Sequence, residues 1–165
     1  MDKKRRTLLI AVAAVLLVVA AFLLLRRPQP LGELIHAAEA DASIQAIFDL
    51  KVTVPTENGE TSGICDYIAA PDSEAGQALL DALSGISAHR RFRLPASPVS
   101  VIRAQDNYVS IWFRANGRDH DLYLFADGSV LYDDASRSVA YALDSDAEDA
   151  FRALVNVISL YGTKR

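Results

Sequence analysis

Three hydrophobic rhythms run along this chain. The first is continuous: Thr7 to Leu25 reads TLLIAVAAVLLVVAAFLLL, nineteen residues with no charge, Pro or Gly. As a helix it spans about 28 Å, close to the hydrocarbon thickness of a bilayer. It has no polar face, unlike a soluble surface helix. Lys3, Lys4, Arg5 and Arg6 precede it, and Arg26 and Arg27 close it.

The second rhythm has a period of two and marks strands. In Ser43 to Val54, the residues Ile44, Ala46, Phe48, Leu50, Val52 and Val54 point one way, and Gln45, Asp49, Lys51 and Thr53 the other, with Ile47 the exception. Glu57-Asn58-Gly59-Glu60 predicts a hairpin turn, with Thr61 to Ala69 as the return strand. Further on, Val99–Ala104, Tyr108–Ala115, Arg118–Phe125, Ser129–Asp133 and Ser138–Leu143 are separated by turn signals that include Asn116-Gly117 and Asp127-Gly128. That spacing predicts an antiparallel meander.

The third rhythm is helical. Leu31 to Ala42 predicts a short helix with Leu31, Leu34, Ile35 and Ala38 on one face and His36 off it. Pro71-Asp72-Ser73 opens a second helix with the stripe Ala75, Leu79, Leu80, Leu83 and Ile86, ending near Gly85. Ser145 and Glu148 have capping-box spacing before a third, with Ala147, Phe151, Leu154, Val155, Ile158 and Tyr161 inward and Gly162 as the stop. The predicted fold class is α+β: an N-terminal transmembrane helix, then one small domain whose antiparallel sheet of about seven strands (hairpin, helix, meander) is packed by two helices.

Charge gives this order a direction. Residues 1–27 carry +5 and Pro28 onward −9, within a net charge of −4. The basic excess before the apolar block predicts a cytoplasmic N-terminus and an outer C-terminal part. A cleaved signal peptide has the same general pattern, but its best small-residue site, Val19-Ala20-Ala21, lies inside the apolar run, so an uncleaved signal anchor is expected. The expected organisation is a basic cytoplasmic tail at 1–6, a single-pass anchor in the cell membrane at 7–25, a Pro-containing linker at 26–30, and an extracytoplasmic α+β domain at 31–165. The acidic outer part argues against nucleic acid as a partner. The expected partners are the membrane and a cell-surface or membrane protein; the oligomeric state stays open. Cys65 is the only cysteine, between Ile64 and Asp66 on a predicted strand, so a buried thiol is expected and an intrachain disulfide is excluded.

Candidate chemistry is sparse. Asp119-His120-Asp121 looks catalytic, but on a strand His120 faces away from both carboxylates. Asp119 and Asp121 share a face and are the candidates for a small extracytoplasmic enzyme or a cation-dependent site. Asp144, Asp146 and Glu148 resemble the start of a calcium loop, but its sixth and twelfth positions are Asp149 and Val155. The basic strip His89 to Arg93 places Arg90, Arg91 and Arg93 beside Phe92, where an anionic headgroup or wall polymer could bind; protection of a sheet edge is the plainer reading. Tyr108, Ser110, Trp112 and Arg114 share one strand face, and Tyr123 and Phe125 one face of the next; opposite them stand Val109, Ile111 and Phe113, and Leu122 and Leu124. If the aliphatic side is core, Tyr108, Trp112 and Tyr123 form a binding platform. No phosphate loop, nucleophile elbow, metal-spaced His/Cys set or cofactor fingerprint is present, so no cofactor, metal ligand or catalytic residue is assigned.

The alternating strand Ile44 to Val54, the strands around Asn116-Gly117 and Asp127-Gly128, the Val139-Ala140-Tyr141 strand and the closing helix together resemble the uncharacterised small membrane-anchored or secreted α+β domains of Gram-positive bacteria. The resemblance covers the outline of the domain and implies neither an activity nor any residue role. The function expected is a membrane-anchored, non-enzymatic extracytoplasmic binding module. The alternatives are the enzyme above and an accessory subunit pairing through its anchor, whose Ala11, Ala13, Ala14, Ala20 and Ala21 allow close helix approach.

Overall fold

A computed structural model describes residues 3–91, 106–144 and 146–165, with side chains at all of these but 3, 4, 6–8 and 25. Among the described residues one antiparallel sheet of nine strands dominates, in the order β1-β4-β8-β7-β6-β5-β2-β3-β9. The strands are β1 (Gln29–Pro30), β2 (Ile44–Thr56), β3 (Gly59–Ala69), β4 (Ser87–Arg90), β5 (Tyr108–Ala115), β6 (Arg118–Phe125), β7 (Ser129–Asp133), β8 (Ser138–Leu143) and β9 (Thr163–Lys164). The helices are α1 (Lys3–Leu25), α2 (Leu31–Leu34), α3 (Glu74–Gly85) and α4 (Ala147–Tyr161), with a 3-10 turn at Ala37–Glu39.

The expected single-pass anchor is corrected. Among the described residues no helix is long and apolar enough to cross a membrane. The expected single-pass helix falls away on that finding. The signal anchor, the membrane localisation with a cytoplasmic N-terminus and an outer domain, and pairing through a transmembrane helix all lose their basis with it.

The sheet also departs from seven strands packed by two helices. Ser87–Arg90, expected as loop, is edge strand β4, paired with both β1 and β8. The short β9 pairs with β3 at Cys65 and Asp66. The expected strand Val99–Ala104 lies outside the described residues. Leu31 to Ala42 is not one helix. Ile35 ends α2, and His36 adopts φ 58° before the 3-10 turn. That left-handed residue turns Leu31, Ile35 and Ala37 into the core while His36 stays exposed against Glu39 at 3.1 Å.

The core lies on one side of the sheet. Ile44, Ala46, Phe48 and Leu50 of β2 are buried, with Cys65 and Tyr67 of β3, Val109, Ile111 and Phe113 of β5, and Leu122 and Leu124 of β6. Leu79 and Leu83 of α3 and Phe151, Leu154, Val155 and Ile158 of α4 meet them. Val52, expected on the core side, is exposed and lies where the β2–β3 register shifts between Leu50 and Val54. The Cys65 thiol donates to the Ile158 carbonyl at 3.5 Å, and burial pushes its pKa up. Asp146 caps α4 by accepting from the Glu148 backbone N–H at 2.9 Å; Ser145 of the expected capping box lies outside the described residues.

The Asp134 carboxylate gathers most of the bonds of the β7–β8 turn. Asp134 accepts from the Ser136 hydroxyl at 2.5 Å, the Ser136 and Arg137 backbone N–H groups at 3.0 Å each, and Arg137 Nε at 3.0 Å. Burial opposes its ionisation, but these bonds outweigh burial and hold the pKa down at about 2. A folded-state value below the unfolded 3.8 stabilises the fold above about pH 4 and is lost as pH falls through about 2. Asp134→Ala is expected to cost about 2 kcal/mol at neutral pH. Urea midpoints measured from pH 6 to pH 2 check this: the variant curve should fall less steeply on acidification and converge on the wild type.

Candidate functional site

Register places every residue of the open face. Trp112 stands opposite Gln45 on β2 and Asp121 on β6, and Asp121 opposite Asp133 on β7. Ser110 lies between Ile47 and Tyr123, and Tyr108 between Asp49 and Phe125. Directly opposed residues share a face. These residues therefore line the side of the sheet away from α3 and α4. Tyr108, Trp112 and Tyr123, read as one platform from the sequence, do share it, and all three are half-buried. The ring of Tyr108 lies 6.4 Å from that of Tyr123 and 6.3 Å from that of Phe125, tilted in both cases, as aromatic pairs prefer.

The basic strip does not join them. Arg90 stands opposite Tyr141, whose ring is buried on the helix side. Arg91 is exposed beyond the end of β4, with its backbone N–H on the Ala140 carbonyl at 2.9 Å. Arg93 lies outside the described residues.

The Asp119–His120–Asp121 triplet separates as its alternation requires. His120 is 6% exposed on the core side, its ring stacked 5.0 Å from Phe113. Its Nδ1 is 2.5 Å from the Tyr132 hydroxyl and its Nε2 3.3 Å from the Ala115 carbonyl, so it belongs to the packing of the core. Asp119 is exposed and faces Arg114 at 3.8 Å. Burial raises the pKa of Asp121, reinforced by Asp133 and Asp119 and opposed by His120. Burial likewise raises Tyr123, with Asp121 adding to it and a hydrogen bond from Ser110 opposing. Tyr108 is raised by burial and by Asp49, against Lys51. No group of three metal-ligating side chains gathers among the described residues.

A cavity of about 310 Å³ opens on this face where β5, β2 and β3 meet. Its apolar walls are Trp112, Ile47 and Ile68, and its polar rim is Gln45, Ser110, Asp66 and Arg165. Arg165 is placed by a bond from its backbone N–H to the Ile64 carbonyl at 3.0 Å, and its guanidinium meets the Asp66 carboxylate. Of the lining residues, only Trp112 stood out in the sequence as a site. Gln45, Ile47 and Ser110 were legible as face positions from the alternation of their strands. Asp66, Ile68 and Arg165 carried no local signal, because the cavity exists only once β2 pairs with β5 and β9 with β3.

Fold and site together define a one-sided antiparallel sheet, helix-packed on its aliphatic face and open on its aromatic one. Compared with known proteins, the chain matches no family model, no curated protein and no solved structure.

Proposed function

We propose that this chain is a non-enzymatic binding module whose ligand surface is the open sheet face centred on Trp112. The observation that carries this reading is that α3 and α4 take up the aliphatic face and leave Trp112 half-buried in the wall of an open cavity. A half-buried indole beside convergent polar groups is a common basis for ligand binding. Asp119 and Asp121 support no second reading, since Asp119 is turned to Arg114 and neither lines the cavity.

The test is an array of immobilised oligosaccharides, peptides and lipids probed with the full chain and with Trp112→Ala. Trp112→Ala should keep the circular dichroism spectrum, cost about 1 kcal/mol of stability, and abolish the array signals. Signals that survive the substitution, or no signal at all, would overturn the platform.

A further inference from the structure

We infer that the cavity beside Trp112 takes a neutral sugar ring, a pyranose unit of an oligosaccharide; this inference rests on the binding reading above. Four features lead there. The first is size: about 310 Å³ is at the low end of ligand pockets, which run from about 300 to 1,000 Å³, so a ring-sized group fits and a long segment does not. The second is the division of the lining. Trp112, Ile47 and Ile68 make an apolar wall, and a pyranose offers one apolar C–H face to an indole.

The third is the rim. Gln45 supplies an amide that both donates and accepts, Ser110 a hydroxyl that does the same, Asp66 acceptors and Arg165 donors. Neighbouring sugar hydroxyls are donors and acceptors at once, and planar side chains meet them in pairs. The fourth is charge. Asp66 and Arg165 neutralise each other across the rim. Around the cavity, Lys51 is engaged by Asp49 at 2.6 Å and Arg114 by Asp119, whereas Asp121 and Asp133 have no ion pair among the described residues. A phosphate or uronate would meet a field of its own sign, so an uncharged polyol is favoured.

A peptide added as a further strand fits less well. The cavity lies on the sheet's face, and the adjoining outer edge of β3 is already paired with β9 at Cys65 and Asp66. Open peptide edges offer main-chain bonds, whereas this site offers side chains.

The chain has a single tryptophan, so its emission reports directly on this cavity. The full chain would be titrated with maltohexaose, cellohexaose and chitohexaose, and with hexagalacturonate as the charged comparison. The expected result is a saturable change in Trp112 emission with at least one neutral hexamer and none with hexagalacturonate. Gln45→Ala, on an exposed side chain that leaves the core untouched, should weaken that binding about tenfold with an unchanged thermal midpoint. No response to any neutral hexamer, equal binding by hexagalacturonate, or unaltered binding by Gln45→Ala would each overturn the assignment. A Trp112-dependent peptide or lipid signal on the array, with no sugar response here, would overturn the sugar and leave the platform standing. The absence of any Trp112-dependent signal would overturn both.

Discussion

Gly76→Ala is expected to destabilise the domain by about 3 kcal/mol or more, although alanine is the better helix former. Gly76 is buried in the first turn of α3, where its N–H donates to the capping Ser73 hydroxyl oxygen at 3.0 Å. The same hydroxyl donates to the Ala70 carbonyl at 2.6 Å, which draws the β3–α3 turn tight against the helix start. A Cβ at Gly76 would stand 2.0 Å from the Ala70 carbonyl oxygen and 2.9 Å from Pro71 Cα. These are backbone atoms and cannot rotate aside. Relief requires α3 to lift, and with it Leu79 and Leu83 from the core. Gly85, at the other end of the helix, has nothing within 4 Å of its added Cβ. Gly85→Ala should therefore be neutral or stabilise by a few tenths up to about 1 kcal/mol. Thermal melts of the pair check the argument: opposite signs are expected, with Gly76→Ala lower by on the order of 10 °C. A Gly76→Ala melt matching the wild type would mean that the turn is not so tightly held.

Phe113→Ala is expected to cost about 3–5 kcal/mol, several times the cost of emptying the adjacent Trp112 position. Phe113 is 1% exposed, beneath the helices and stacked on His120. Its removal opens a cavity and strips one wall from the His120–Tyr132 pair, whose hydroxyl reaches the Ile35 carbonyl at 3.2 Å. α2 would be loosened through that contact. The measurement is denaturant unfolding of both variants. Phe113→Ala should lower the midpoint strongly at an unchanged slope, and Trp112→Ala should move it little. If the two fell equally, both sides of β5 would be core and the aromatic face could not be a free surface.

The contrast between these neighbours marks how far the sequence is legible. Alternation assigned Phe113 and Trp112 to opposite faces and bound Val109 and Ile111 to Phe113, because successive strand side chains must point apart. It also set the hairpins at Asn116-Gly117 and Asp127-Gly128, where Asn116, Gly117 and Gly128 have the positive φ those turns require. The inward faces of α3 and α4 follow from helical spacing in the same way, except that Tyr161, expected inward, is exposed at the end of α4. Asp133 and Asp134 were readable as turn residues, and both bond the backbone of the β7–β8 turn.

The local pattern reached less far elsewhere. An unbroken helix over 31–42 was suggested by its apolar spacing, but backbone dihedrals at His36 broke it. The apolar block near the N-terminus suggested an anchor from hydropathy alone, whereas no helix among the described residues is long and apolar enough to cross a membrane. Ser87–Arg90 lacked a strand signal because only its pairing with β1 and β8 makes it one.

By itself, then, the sequence determined strands β5 to β8 and their hairpins, the alternating faces of β5 and β6, and the burial of Cys65, all of which follow from patterns among residues near one another in the chain. Only the tertiary structure decided which sheet face became core, since both faces of β5 and β6 are apolar enough and the choice rests on where α3 and α4 dock. It also seated β2 against β5, some sixty residues further along, and carried the chain through α3 from β3 on one side of the sheet to β4 near the other. Those long-range pairings assemble the cavity, bringing Gln45, Asp66, Trp112 and Arg165 together from four strands' neighbourhoods. Such contacts depend on complementary surfaces formed only after local structure exists, and no short window of sequence contains them.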